Sequence, residues 1–68
     1  MNVYRISRKP KDVDYFEDYA IVVIAEDRRH AERRARWSSG DFRKAKNLEI
    51  TKIDLSQEQV VLTASVSG

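Results

Sequence analysis

The chain contains no cysteine. That excludes disulfides and every thiolate-ligated zinc site. Its single histidine, His30, rules out an all-histidine metal site within one chain. Gly40 and Gly68 are the only glycines, so no glycine-rich phosphate loop exists. No apolar run approaches the roughly 20 residues that span a bilayer. The opening MNVYRISRKP carries charge but lacks the apolar stretch of a signal peptide. These absences predict a cytoplasmic protein with no membrane association, no metal and no cofactor.

With 68 residues there is room for one domain, residues 1–68, and one small core. A domain of this size buries only about 60% of its unfolded surface. Disulfides, metals or oligomerisation usually help such small folds. With no cysteine or metal set to help, a homo-oligomer is expected, most simply a homodimer.

Charge is abundant and segregated, although the net value is only +2. Arg5, Arg8, Lys9 and Lys11 make the start basic. Asp12, Asp14, Glu17, Asp18, Glu26 and Asp27 make an acidic block. The densest feature follows: Arg28 to Arg36 reads RRHAERRAR, five arginines in nine residues, with Trp37 directly after. Such blocks create local fields that the net charge conceals.

Val3–Arg8 alternates as a strand does, and Pro10 ends it. Lys11–Asp18 reads as an ordered acidic loop carrying Val13, Tyr15 and Phe16. Tyr19–Ala25 (YAIVVIA) is β-branched and apolar on both faces, which predicts a strand covered on both sides. One helix covers one face; the other then calls for a second chain or the loop aromatics. Asp27 is suited to cap a helix starting at Arg28. Ala31 and Ala35 share one face of that helix, in line with Arg28 and Ser38, and should lie close against the sheet. Ser38-Ser39-Gly40 predicts the stop, with Gly40 available for a positive φ. Asp41–Asn47 is a further helical turn or a basic loop. Leu48–Leu55 reads as a strand whose apolar phase shifts between Ile50 and Ile53, as a β-bulge would cause. Gln59–Ser65 would return as its hairpin partner. The expected fold is α+β: a small antiparallel or mixed β-β-α-β-β sheet with one Arg-rich helix packed on it. Strand order is not fixed by these signals.

This layout resembles a loose group of short phage-encoded accessory proteins. Their pattern is an N-terminal strand, an acidic-aromatic segment like YDxYDxxVVxA, a helix containing Ala-Arg, and a terminal strand ending like LASFxAG. The counterparts here are Tyr15, Phe16, Asp18 and Tyr19 ahead of Ile21–Ala25, then Ala31–Ala35, then Leu62–Gly68. The tail departs from the pattern at Val66-Ser67, where an aromatic and an alanine are expected. The resemblance implies a phage or prophage protein, acting in the host cytoplasm, that binds and blocks host defence machinery such as a CRISPR-type nuclease complex.

Catalytic chemistry finds little support. His30 has no nucleophile placed beside it by any motif, and a surface helix position accounts for it. Asp14 and Asp18 match no EF-hand spacing and read as a solvated acidic loop. The arginine helix has two readings. Arginine is a good helix former and Glu32–Arg36 can pair, so a merely solvated face is one. The other is an anion-binding surface, because guanidinium offers a permanent charge and a rigid fork of donors. The density, the first-turn arginines and the adjacent Trp37 favour the second. Trp37 itself is expected as a core anchor, or failing that as an interface hot spot.

The sequence therefore predicts a non-catalytic binding protein. Its expected contact residues are Arg28, Arg29, Arg33, Arg36, Trp37, Arg43 and Lys44. A secondary surface is Tyr15, Asp18 and Tyr19. The expected partner is a host protein or ribonucleoprotein complex. The alternatives are a nucleic-acid-binding regulator that uses the arginines on phosphates, and a multimeric sponge for a nucleotide signal.

Overall fold

The computed structural model describes residues 1–9 and 19–62. Strand β1 (Asn2–Ser7) is followed by β2 (Ala20–Ala25), helix α1 (Arg28–Ser38), the short helix α2 (Gly40–Lys44) and strand β3 (Glu49–Lys52). The three strands form one sheet in the order β2-β1-β3. Both neighbours run antiparallel to β1 and hence parallel to each other, with α1 and α2 carrying the chain across between them. This is the expected α+β class with an antiparallel sheet.

The alternation of β1 divides the sheet. Tyr4 and Ile6 lie in register with Val23 and Ile21 of β2, and Ile6 also pairs with Ile50 of β3. These residues face α1. With Ala25, Ala31, Ala35 and Phe42, Tyr4 and Ile6 make the core, and Leu48 packs at its edge. Ala31, Ala35, Phe42 and Ile6 have no exposed surface. Small alanines at the contact let the α1 backbone approach the sheet closely, as the helical phase predicted.

Helix α1 covers one face of β2, and the far face is the one expected to meet a second chain or the loop aromatics. On that face Val22 is 42% exposed and Ile24 67%. The phase shift between Ile50 and Ile53 is not a bulge. The β1–β3 register runs without an inserted residue from Ser7–Glu49 to Tyr4–Lys52. The Ile53 amide extends it by donating to the Val3 carbonyl at 2.8 Å. Ile50 thus faces α1, while Ile53 sits beside Val3 on the far face and is buried there. Each isoleucine has its own cover, so no extra residue is needed.

The C-terminal hairpin does not form among the described residues: β3 stops at Lys52, and residues 53–62 are not in strand. Residues 63–65 of the expected last strand lie outside the described residues. The Asp54 carboxylate instead accepts from the Ser56 amide and hydroxyl, and Gln59 Nε2 donates to the Asp54 carbonyl at 2.6 Å. This local turn competes with ladder pairing. Arg5, on the far face of β1, donates from Nη1 to the Val61 carbonyl at 3.3 Å, drawing the segment back towards the sheet.

Candidate binding surface on the outer face of helix α1

Helix α1 begins at Asp27, whose extended backbone (φ −152°) and carboxylate cap the first turn. Its Oδ1 accepts from the His30 amide at 2.9 Å and lies 3.0 Å from His30 Nδ1. The amide bond from His30, more than the ring contact, holds the Asp27 carboxyl below its ordinary pKa. No acidic residue sits in the first turn of α1, so Arg28 and Arg29 face the positive end of the helix dipole with only the cap to offset it.

The helix does not stop at a glycine in a left-handed conformation. Ser39 adopts extended geometry (φ −136°, ψ 125°) and serves both helices. Its amide donates to the Ala35 carbonyl at 3.2 Å, closing α1. Its hydroxyl accepts from the Phe42 amide at 3.4 Å, opening α2. Gly40 is simply the first residue of α2. The elbow at Ser39 turns Phe42 into the core. It also corrects the assignment of Trp37 as a core anchor: Phe42 fills that role, and Trp37 is 79% exposed.

Two of the predicted contact arginines hold this elbow together. Arg36 reaches from α1 to the end of α2, where its Nη1 donates to the carbonyls of Phe42 at 2.8 Å and Ala45 at 2.7 Å. Its Nε donates to Glu32 Oε2 at 2.9 Å. Arg43 reaches the other way. Its Nε donates to the Arg36 carbonyl at 3.3 Å and its Nη2 to the Trp37 carbonyl at 3.2 Å. Each helix thus supplies a guanidinium to backbone carbonyls at the C-terminal end of the other. Sequence reading assigned both arginines to partner binding. The missing signal was the elbow: without it, residues 36 and 43 have no reason to meet carbonyls from each other's helix.

The remaining arginines are differently placed. Positions 29, 33 and 37 follow one another at four-residue spacing, so Arg29, Arg33 and Trp37 form one row along α1. Ala31 and Ala35 lie two residues out of phase with that row, about half a turn away. The row therefore points directly outward from the sheet. Arg28, Arg29, Arg33 and Arg34 are all exposed, and none makes a side-chain hydrogen bond or ion pair among the described residues. Arg29, Arg33 and Trp37, with Glu32, Arg36 and Arg43, line a shallow groove of about 660 Å³. It holds four guanidinium groups and one carboxylate, which is the Glu32 group already bonded to Arg36.

Lys44 is exposed at the end of α2, outside the groove lining. Tyr19 is about half exposed, and its carbonyl accepts from the Arg8 amide at 2.9 Å. Tyr15 and Asp18, the rest of the secondary surface, lie outside the described residues. Among the described residues no cluster of acidic or imidazole groups could hold a metal ion, and no helix is long and apolar enough to cross a membrane. Compared with known proteins, the chain matches no family model, no curated protein and no solved structure.

Proposed function

We propose that this chain is a non-catalytic binding protein of phage type that inhibits a host defence factor. It does so by occupying an anionic functional surface, of a nucleoprotein complex such as a CRISPR-type nuclease, with the outer face of α1. One observation carries the binding half of this reading. Trp37 stands 79% exposed at the end of a row, Arg29 and Arg33, that makes no side-chain bond among the described residues. A large aromatic left in water beside permanent charges costs a small domain apolar burial it can ill spare, and Trp with Arg is the pairing enriched at binding hot spots. The defence half rests on the sequence resemblance to phage accessory proteins. A homodimer belongs to the same reading, with Val22 and Ile24 offering an apolar contact to a second copy.

The test is capture from a bacterial lysate by the tagged protein, set against Arg29→Glu combined with Arg33→Glu. The wild type should retain a defence complex and the double variant should lose it, while both give the same circular dichroism spectrum. Equal retention by the two proteins would remove α1 from the contact.

A further inference from the structure

We infer that the groove on α1 takes single-stranded nucleic acid, with a base stacked on Trp37 and the flanking phosphates on Arg29 and Arg33. The inference rests on the binding surface proposed above and names its ligand. Three features of the groove point to a nucleotide chain rather than an acidic protein segment.

The first is the division of donors. Arg36 and Arg43 are tied to backbone carbonyls of the elbow, so part of their donor capacity is taken while their charge still contributes to the groove's potential. Arg29 and Arg33 keep whole forks available, one helical turn apart. Two such forks in line suit successive phosphates of one strand, which guanidinium binds bidentately. The second is the aromatic. The Trp37 indole lies on the same row and is 79% exposed, so its ring face is open to stacking. An open indole face accepts any base, because every base has a π-face. The third is Glu32, which places a carboxylate among the arginines, with 43% of its side chain exposed. A nucleotide chain carries neutral bases as well as charged phosphates, as the row carries one indole beside its two forks.

Trp37 is the only tryptophan in the chain, so its fluorescence reports on this site alone. The probe is oligouridylate of about eight nucleotides, within the usual site size for such binders. It should quench Trp37 emission on binding. Affinity should fall with salt at a log–log slope near −1.4, from roughly −0.7 for each of two phosphates. With a fluorescein-labelled probe read by anisotropy, Trp37→Ala should weaken binding by about 5- to 140-fold, the usual effect of losing one base stack. Arg29→Ala with Arg33→Ala should flatten the salt slope. An abasic probe of equal charge should keep the slope and lose the quenching.

Polyglutamate of matched charge is the competitor class. If it binds as tightly as the oligonucleotide, or if Trp37→Ala binds the oligonucleotide unchanged, the inference is overturned. Absence of any oligonucleotide binding overturns it as well. In that last case lysate capture that still depends on Arg29 and Arg33, and survives nuclease treatment, would leave the wider reading standing with a protein ligand. Capture indifferent to both arginines would end the wider reading too.

Discussion

Replacing Arg36 should unfold the elbow between the helices, although the sequence places it on the charged surface. Arg36→Met keeps much of the aliphatic stem and removes the guanidinium, so it isolates the loss of the head group. Two carbonyls, of Phe42 and Ala45, then lose a charged donor at 2.8 and 2.7 Å. Hydrogen bonds to charged groups contribute about 1.5–3 kcal/mol each when well shielded. The Arg36 side chain is 27% exposed, so water recovers part of that. A loss of about 1 kcal/mol per carbonyl bond is the discounted value, and the Glu32 pair adds about 0.3–0.5 kcal/mol. The total is about 2–2.5 kcal/mol. A domain of this length has a stability of about 3–10 kcal/mol, so the loss is a large share of it. At roughly 4–8 °C per kcal/mol for domains of this size, the melting temperature should fall by about 8–20 °C. Circular dichroism melts and urea titrations read this directly. Arg29→Met is the control, because exposed substitutions stay within about 0.5 kcal/mol. An Arg36→Met variant no less stable than that control would show that the two carbonyls are equally well served by water, and the account of the elbow would fail.

The rest of the fold makes three further expectations measurable. Ala35→Leu should cost about 1–3 kcal/mol in urea titration, since Ala35 has no exposed surface and the α1 backbone has no room to accept the added carbons. Gly40→Ala should stabilise by about 0.4–1 kcal/mol, because an added Cβ at this helical position meets nothing within 4 Å; a loss instead would mean that α2 requires the glycine's freedom. Asp27 has a carboxyl pKa depressed in the folded state, so its contribution is present above the unfolded value and is lost as the pH falls through the folded one. Asp27→Asn, which cannot titrate, should flatten that acid-side loss of stability, and an unchanged pH profile would show that Asp27 does not set it.

The elements legible in the sequence are those fixed by local signals. The N-cap at Asp27, the alanine face and the strand starting near Tyr19 need only the neighbouring residues to explain them. What sequence reading missed depends on contacts between distant segments. Ile50 and Ile53 look like one strand with a slipped phase until each face of β3 is seen to have its own cover. Trp37 and Phe42 exchange their expected roles because Ser39 ends one helix and starts the next within a single residue. The arginine cluster was legible as a surface. Its separation into elbow arginines and outward arginines was not, since that distinction lies in which carbonyls come within reach.

That separation leads to a sharper expectation for Arg29. Arg36 and Arg43 contribute to folding through bonds to helix ends. Arg29 opposes the dipole at the start of α1 and stands four residues from Arg33, a like-charge neighbour, with no acidic residue in the first turn. Both effects are unfavourable to the fold. Arg29→Glu reverses them together: it puts a negative charge at the helix N-terminus and an i, i+4 partner on the favourable side of Arg33. The variant should be more stable by about 0.5–1 kcal/mol in thermal or urea unfolding, while weakening any anionic ligand at the groove by tenfold or more. Where such a residue also serves binding, the stabilising substitution costs function. If Arg29→Glu destabilises the fold, Arg29 has a structural task and the row Arg29–Arg33–Trp37 loses its first member. If it stabilises the fold and leaves ligand binding unchanged, the outward arginines are a solvated surface.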